Sequence, residues 1–317
     1  MSNKTVYIEN LKAGEKVNNA FLVAEKNLAY SQKGAPYLNL RLKDKTGEID
    51  GKVWDNANEW DGQFKKGDIV QVYGRVLSYK NNLQLSVLDL KKLTDEEVDL
   101  TDYLPAAKQD AEAMFAELMA YVEKIQTPCL RDLLNAFFQD EKTTMLFKKA
   151  PAAKGFHHIY LGGLLEHTLS VTKLLDLAIN HYQAVNRDLL LAGGILHDIG
   201  KIHEFDYDRI VQYSDEGRLI GHVVMGVEMV DAKISGIEGF PKSLAMELRH
   251  LLLSHHGMLE FGSPKRPKTL EALIVHHIDD LDAKVNAFQT FVDDAPEDDT
   301  GWTPFHRLLE RYIYKGH

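Results

Sequence analysis

Residues 193–205 read GGILHDIGKIHEF and place the polar pair His197–Asp198 directly after an apolar run, LLLAGGIL (189–196). Lys201 follows three residues later. Burying such groups without partners costs free energy, so something in the folded protein must compensate them. The stretch therefore predicts a helix that delivers ionisable side chains into the protein interior.

Other helical stretches carry the same kind of side chain on an apolar face. His167 lies on the apolar stripe of GGLLEHTLSVTKLLDLA (162–178), where a single histidine would ordinarily be a satisfied core residue. The pattern recurs in four further stretches, and the ligand-capable residues are His167, His197, Asp198, His222, His255, Asp279 and Asp282. Five elements that each turn such groups inward predict a shared metal centre, because coordination offsets their burial.

The candidate ligand set favours two divalent ions, because six protein ligands exceed what one catalytic ion takes. Four histidines with two aspartates are rich in nitrogen for magnesium, and manganese, iron, cobalt or zinc fits better. In SHHG (254–257) the ligand is His255 or His256, and the apolar stripe that precedes it favours His255.

Residues 17–92 predict a small barrel of five short strands. YLNLRLKD (37–44) and DIVQVYGRVLSY (68–79) alternate apolar and polar residues, which is the period of a strand. LQLSVLDL (83–90) alternates with a phase slip near Val87 and Leu88, which predicts a bulge. An OB-type barrel is the leading interpretation, with an SH3-like barrel as the alternative.

On the strand faces predicted to point away from the core, aromatic side chains alternate with basic ones. Aromatic rings that stack on bases, beside cations that follow phosphates, are typical of single-strand binding, although core or rim packing would account for part of the set. The predicted strand-contacting residues are Tyr37, Arg41, Trp54, Tyr73, Arg75, Tyr79 and Lys80.

Composition separates the chain into unlike parts. Residues 1–93 carry 15 Lys and Arg against 11 Asp and Glu, whereas the remainder carries 22 against 36, and all 14 histidines lie at or after position 157. We predict an OB domain (1–93), an acidic linker with connecting helices (94–155) and a metal-dependent helical domain (156–317) with an aromatic tail.

The cysteine count and the hydropathy of the chain limit the cellular compartments in which we expect the protein. The single cysteine, Cys129, excludes an intrachain disulfide and thiolate-rich metal sites. Neither a secretory h-region nor an apolar stretch of membrane-spanning length is visible, so we expect a cytoplasmic protein without a membrane partner. The sequence leaves a homo-oligomer open.

The order His167, His197–Asp198, Asp279 resembles the H…HD…D signature of the HD-domain phosphohydrolases, whose fold is an all-α bundle. The resemblance implies that these four residues are core ligands, that His222 and His255 complete a second metal, and that Lys201 contacts phosphate. It also selects Asp279 over Asp280 as the last ligand. Asp198 and Lys201 are then the predicted catalytic residues.

The barrel, the helical connector and HHIYLGGLLEHTLSV (157–171) together resemble the YhaM-type 3′→5′ exoribonucleases of Gram-positive bacteria. The resemblance covers nearly the whole chain and implies an α+β multidomain protein, a manganese-dependent exonuclease that acts on single-stranded RNA and also single-stranded DNA. His157 and His158 are candidates for substrate contact. Two alternatives remain: a phosphohydrolase of free or cyclic (di)nucleotides, and a non-catalytic DNA-binding replication factor.

Overall fold

The computed structural model describes residues 4, 6–79, 82–99, 102–103, 107, 109–153, 160–206, 211–293, 295, 300–307 and 309–316. The chain divides into two compact units. One includes residues 1–106, and the other comprises residues 107–206 and 211–317. No helix within the described ranges is long and apolar enough to cross a membrane.

The first unit contains the predicted OB-type barrel of five strands. The strands are β1 (Lys16–Tyr30), β2 (Pro36–Asp44), β3 (Gly47–Val53), β4 (Ile69–Tyr79) and β5 (Asn82–Lys92), and a short helix α1 (Ala57–Asp61) lies between β3 and β4. They close in the order β1-β2-β3-β5-β4, with β4 returning to β1. Only the β3–β5 pair is parallel among these ladders. This order is that of the OB-type barrel and not of the SH3-like alternative.

The barrel interior is built by the apolar phase of each strand. Leu38, Leu40 and Leu42 of β2 alternate with polar neighbours and are all buried, as are Val70 and Val72 of β4. Burial of one such side chain contributes about 1.5–3 kcal/mol, so the alternation accounts for closure around a single core.

The predicted phase slip in β5 is confirmed as a register shift. Tyr73 pairs with Asp89 and the next residue, Gly74, pairs with Val87, so Leu88 is the extra residue. A side chain at Gly74 would place its Cβ 2.3 Å from the carbonyl oxygen of Ser86. Glycine at this position therefore permits the close approach of β4 and β5.

The second unit is a helical bundle, as predicted. Its helices are α2 (Ala111–Glu123), α3 (Pro128–Phe138), α4 (Glu141–Lys149), α5 (Gly163–His181), α6 (Arg187–Leu196), α7 (Lys201–Glu204), α8 (Asp215–Leu219), α9 (His222–Ser235), α10 (Lys242–Ser254) and α11 (Leu270–Asp293), and β6 (Phe205–Asp206) pairs with β7 (Gln212–Tyr213). Helices α2 to α4, assigned from sequence to the connecting segment, pack within this unit, for example α2 and α4 against α5.

Local sequence signals define several helix ends. Asp110, Asp140 and Asn186 each precede a helix and accept a hydrogen bond from a backbone N–H of its first turn. Pro128 occupies the first turn of α3, where the missing N–H is not needed. Helix α6 is buried from Asp188 to Leu196, so it forms the centre of the bundle.

Candidate metal centre

Two groups of ligand-capable side chains converge inside the helical unit. The first group contains His167, His197 and Asp279, and the second contains Asp198, His222, His255 and His256. Within each group, one ligand atom per residue lies within 4.8 Å of every other. The structure thus brings together all six residues expected from sequence, and it adds His256 beside His255.

A glycine pair in α6 allows the helices to approach this point. A Cβ at Gly193 would lie 2.2 Å from Leu251 of α10, and a Cβ at Gly194 would lie 2.1 Å from Leu175 of α5. The quoted stretch GGILHD therefore does two things. Its glycines permit the close approach of α5 and α10. His197, which follows α6 directly, has ring contacts with His167 of α5 and with His255, the residue after α10.

Asp198 faces both groups with different oxygen atoms. Its Oδ2 lies 3.3 Å from Nε2 of His197 and 3.6 Å from Nε2 of His167. Its Oδ1 lies 3.5 Å from Nε2 of His222 and 3.5 Å from Nε2 of His255. One buried carboxylate can therefore serve as a ligand to two ions at once.

Backbone carbonyl groups set the orientation of three of the imidazoles. Nδ1 of His197 lies 2.7 Å from the carbonyl oxygen of Gly194, and Nδ1 of His255 lies 2.7 Å from that of Leu252. His256 makes the same contact, at 2.9 Å, with a carbonyl oxygen in the following turn. Because a carbonyl oxygen can only accept, Nδ1 of each ring carries a proton, so Nε2 is the nitrogen whose lone pair would bind a metal ion.

Carboxylates orient the other two imidazoles in the same way. Nδ1 of His167 lies 2.7 Å from Oδ2 of Asp282, and Nδ1 of His222 lies 2.8 Å from Oε1 of Glu204. Ser170 also donates to Asp282. A histidine ligand whose second nitrogen donates to a carboxylate or carbonyl is the usual arrangement around a protein-bound metal.

The convergence of lone pairs fits divalent cations. Nε2 of His167 lies 3.3 Å from Nε2 of His197, and Nε2 of His222 lies 3.3 Å from Nε2 of His256. When these rings are neutral with Nδ1 protonated, the facing Nε2 atoms are both acceptors and cannot hydrogen-bond to each other. Oδ1 of Asp198 and Nε2 of His255 have no hydrogen-bond partner among the described residues. Nitrogen and carboxylate donors suit first-row divalent metals, so the donor set fits the ions expected from sequence.

The electrostatics of the two groups differ. Burial disfavours the charged form of His197, but Asp198 and Asp279 outweigh it and raise the pKa of this imidazole to about 10. Burial, with the neighbouring His255 and His222 rings, lowers the pKa of His256 to about 2. The first group thus attracts positive charge, whereas the lowered pKa values of His255 and His256 in the second group favour neutral rings.

Lys201 lies against the shared carboxylate. Its Nζ donates to Oδ2 of Asp198 at 2.6 Å, and the side chain is buried. Burial opposes the charge of Lys201, but Asp198 outweighs it and raises the lysine pKa, so the ammonium group is retained. It supplies the one lysine cation found beside the described metal-centre residues.

Two positioning residues were not assigned from the sequence. Asp282 was recognised only as sharing a helix face with Asp279, and that spacing is the signal that could have identified it. Glu204 stands inside the quoted stretch, but nothing in its local pattern points to His222, which lies 18 residues later. His276 lies with Nδ1 2.8 Å from the carbonyl oxygen of His255 and so supports that turn.

The barrel presents the predicted strand-contacting residues on its outer surface. Tyr37 and Trp54 stack with ring centroids 4.6 Å apart, and Nζ of Lys52 lies 5.2 Å from the Tyr37 centroid. Tyr73 and Tyr79 are exposed. Arg41 is exposed but pairs with Asp50 at 3.3 Å, which offsets its charge. Lys80, His157 and His158 lie outside the described residues.

A polar row crosses the barrel surface in strict register. Its members, in order across β2, β3, β5, β4 and β1, are Asn39, Lys52, Ser86, Arg75 and Lys16. Each is opposite the next, and each points away from the core because its strand neighbours are buried. Three of the five are cations, so the row is suited to contact a polyanion.

Comparisons with known proteins match both units. The HD domain model matches residues 164–284, and the OB-fold nucleic acid binding domain model matches residues 22–93. The chain is 35% identical over 282 residues to 3′-5′ exoribonuclease YhaM of Geobacillus sp. (strain WCH70), which covers 88% of this chain and 86% of that protein.

Solved structures match less than a third of this chain at low overall similarity. The second OB-fold domain of replication protein A from Methanococcus maripaludis is 27% identical, with 28% of this chain and 95% of that chain covered and a TM-score of 0.24. The single-stranded DNA binding protein from Thermus aquaticus is 19% identical, with 31% of this chain and 44% of that chain covered and a TM-score of 0.24.

Proposed function

Since the chain belongs to the family of the 3′-5′ exoribonuclease YhaM, we propose that it releases nucleoside monophosphates from the 3′ end of single-stranded RNA at a two-metal centre. The observation that supports this most directly is the geometry of Asp198, whose two oxygens face two separate groups of histidine Nε2 atoms. The family membership supports the reaction class, and this geometry supports the assignment of two ions.

We assign the ligands by the oxygen of Asp198 that each group faces. The first ion would be held by His167, His197, Asp279 and Oδ2 of Asp198. The second would be held by His222, His255, His256 and Oδ1 of Asp198. When bound, two divalent ions neutralise phosphoryl oxygens and lower the pKa of a coordinated water. Manganese is the ion we propose, because the donors are predominantly imidazoles.

The protein's own groups hold this centre in one arrangement. The Nδ1 contacts to carbonyl and carboxylate oxygens fix each ring with its lone pair inward. Lys201 keeps a positive charge beside Asp198 and would share its remaining donors with a phosphate oxygen as negative charge develops there.

The barrel would bind the strand through stacking and cations. The Tyr37–Trp54 stack offers a ring surface for bases, and Lys52 and Arg75 lie on the basic row that can follow phosphates. Stacking does not depend on the sugar, so we propose that single-stranded DNA is also bound.

The test uses the full chain and single-stranded RNA labelled at its 5′ end, with added manganese and with chelator. The expected result is a ladder that shortens from the 3′ end and stops on chelation. Shortening from the 5′ end, or internal cleavage, would contradict the assignment. Hydrolysis of free or cyclic dinucleotides with intact RNA would favour the small-nucleotide phosphohydrolase, and strand binding without metal-dependent hydrolysis would favour the non-catalytic factor.

A further inference from the structure

The C-terminal hairpin (residues 300–307 and 309–316) is a small, two-faced structure within the helical unit. Its two segments are antiparallel, with bridges between Trp302 and Tyr314 and between His306 and Arg311. The backbone N–H of Thr303 donates to the carbonyl oxygen of Ile313 at 2.8 Å. Thr303, Leu309 and Ile313 are buried, so one face of the hairpin packs on the protein.

The opposite face is aromatic and exposed. Trp302 and Tyr314 are in ring contact at 5.1 Å, and Phe305 and Tyr312 are in ring contact at 5.3 Å. The exposed fractions are 50% for Trp302, 47% for Phe305, 62% for Tyr312 and 48% for Tyr314. Since packing uses the other face, this concentration of solvent-exposed rings points to a ligand that stacks on them.

The charge of the hairpin differs from that of its surroundings. Residues 301–316 contain Arg307, Arg311 and Lys315 against one acid, Glu310, whereas residues 94–300 contain 19 Lys and Arg against 35 Asp and Glu. Arg307 and Arg311 are exposed. A basic aromatic surface on an acidic unit is complementary to a polyanion with stacking bases, and this favours a nucleic-acid strand over a protein partner.

The hairpin is anchored to a helix that carries part of the metal centre. The ring of His306 packs edge-on against Phe291 of α11, with centroids 4.4 Å apart. Asp279 lies twelve residues earlier on the same helix, which corresponds to roughly 18 Å along the axis. A strand with its 3′ end at the metal centre could therefore place upstream nucleotides at the hairpin.

We propose that the exposed face of the C-terminal hairpin is a second binding surface for single-stranded RNA, on which Trp302 and Tyr314 stack bases upstream of the 3′ end. This inference rests on the proposed function, because the strand that it binds is the proposed substrate. The surface would increase affinity for long strands and leave the chemistry of the terminal phosphodiester unchanged.

The experiment measures binding and turnover of the full-length Trp302→Ala/Tyr314→Ala variant. The probe is a 5′-labelled oligoadenylate of about 20 nucleotides, which exceeds the roughly 4–16 nucleotides that one single-strand-binding barrel occupies. Anisotropy in chelator gives Kd, and turnover with manganese gives kcat/KM for this strand and for a dinucleotide. Tyr182→Ala, an exposed tyrosine at the end of α5, is the matched control.

We expect the double variant to raise Kd for the long strand about tenfold or more, since stacking contributes ~1–3 kcal/mol per base. Dinucleotide turnover and the Tyr182→Ala control should stay within about twofold of wild type. Arg307→Gln, which removes no described packing contact, should reduce the slope of log Kd against log salt by about 0.7. The single variant Trp302→Phe keeps an aromatic ring and should retain most of the wild-type affinity for the long strand.

Two results would overturn the proposal: an unchanged Kd for the long strand, or an equal loss on the dinucleotide. An unchanged Kd together with an altered oligomeric state would identify the face as a contact between copies of the chain. If the wild-type protein binds RNA without shortening it, the proposed function is contradicted. The Kd values of the wild type and the variant would still test whether the hairpin binds the strand. Thermal unfolding of each variant checks that the fold is retained.

Discussion

Glu204 accepts two hydrogen bonds from His222, one from the backbone N–H at 3.0 Å and one from the ring Nδ1 at 2.8 Å. The carboxylate therefore caps the start of α9 and orients the imidazole in the same contact. Both effects follow from the position of His222 as the first residue of that helix.

Replacing Glu204 should weaken metal binding more than it weakens the fold. In Glu204→Ala the His222 ring loses its orienting partner, and loss of such partners typically costs 10–100-fold in metal affinity. The measurement is the manganese concentration required for half-maximal RNA hydrolysis. Glu216→Ala, an exposed acid on α8, is the control. An unchanged manganese requirement in Glu204→Ala would show that this contact does not position the ligand.

Two neighbouring aspartates on α11 should behave differently. Oδ1 of Asp279 lies 3.2 Å from Nε2 of His167, whereas Asp280 is paired with Lys284 at 2.7 Å. We expect Asp279→Asn to reduce hydrolysis by about 100-fold or more, because it removes an anionic ligand of the first ion. Asp280→Asn should retain at least half of the activity. Equal losses of activity in the two variants would contradict the assignment of Asp279, and not Asp280, as a metal ligand. The amount of bound metal, determined by elemental analysis, provides a second readout.

Much of this architecture could be predicted because the signals are periodic and local. The alternation of apolar and polar residues along β2 and β4 indicates which side chains face the core. The break in this alternation in β5 indicates the bulge. The parallel β3–β5 pairing has no such signal, because a strand alternates in the same way whichever direction its neighbour runs. The order of the barrel strands could therefore be predicted only by analogy with known OB-type barrels.

The shared metal centre shows where sequence reasoning stops. If α10 continued, its apolar stripe would place His255 on the buried face and His256 off it. However, α10 ends at Ser254, so helical spacing does not apply to these two residues. Gly257 follows with φ of +74° and turns the chain, and both rings face Asp198. The way in which Asp198 faces two groups likewise depends on how five helices meet, which no local pattern encodes.

The basic row on the barrel should be visible in the salt dependence of strand binding. Lys52→Gln and Arg75→Gln each remove one cation that lies opposite Ser86 across adjacent strands. Each should weaken binding and reduce the slope of log Kd against log salt by about 0.7, the contribution of one phosphate contact. Lys66→Gln, an exposed lysine before β4, is the control. A wild-type slope in both row variants would place the strand elsewhere.

His250 should make the helical unit less stable in mild acid. Burial and the nearby Lys268 lower its pKa, and Nε2 accepts a hydrogen bond from the backbone N–H of Lys268 at 2.9 Å. The unfolded chain therefore binds this proton at higher pH than the folded one, so the free energy of unfolding falls as pH drops below about 6.5. Urea unfolding between pH 5 and 8 in chelator should show a shallower dependence for His250→Gln. Parallel curves would contradict this assignment.

The contact between α7 and α9 depends on one glycine of a facing pair. A Cβ at Gly200 would lie 2.2 Å from the carbonyl oxygen of His222 and 2.8 Å from the backbone nitrogen of Gly226. Backbone atoms cannot move aside as a side chain can, so Gly200→Ala should displace His222 and lower both thermal stability and metal affinity.

Gly226→Ala is the matched control for that prediction. Its Cβ would meet its nearest neighbours at 3.5–3.8 Å, which is ordinary van der Waals contact. Alanine is also the better helix former by about 1 kcal/mol, so the variant should equal or exceed the wild-type midpoint of thermal unfolding. Gly200→Ala should lie several degrees below it, because a clash of this kind costs at least ~1–3 kcal/mol. Equal midpoints for the two variants would show that α7 and α9 can separate without cost, and His222 would then not be held by this contact.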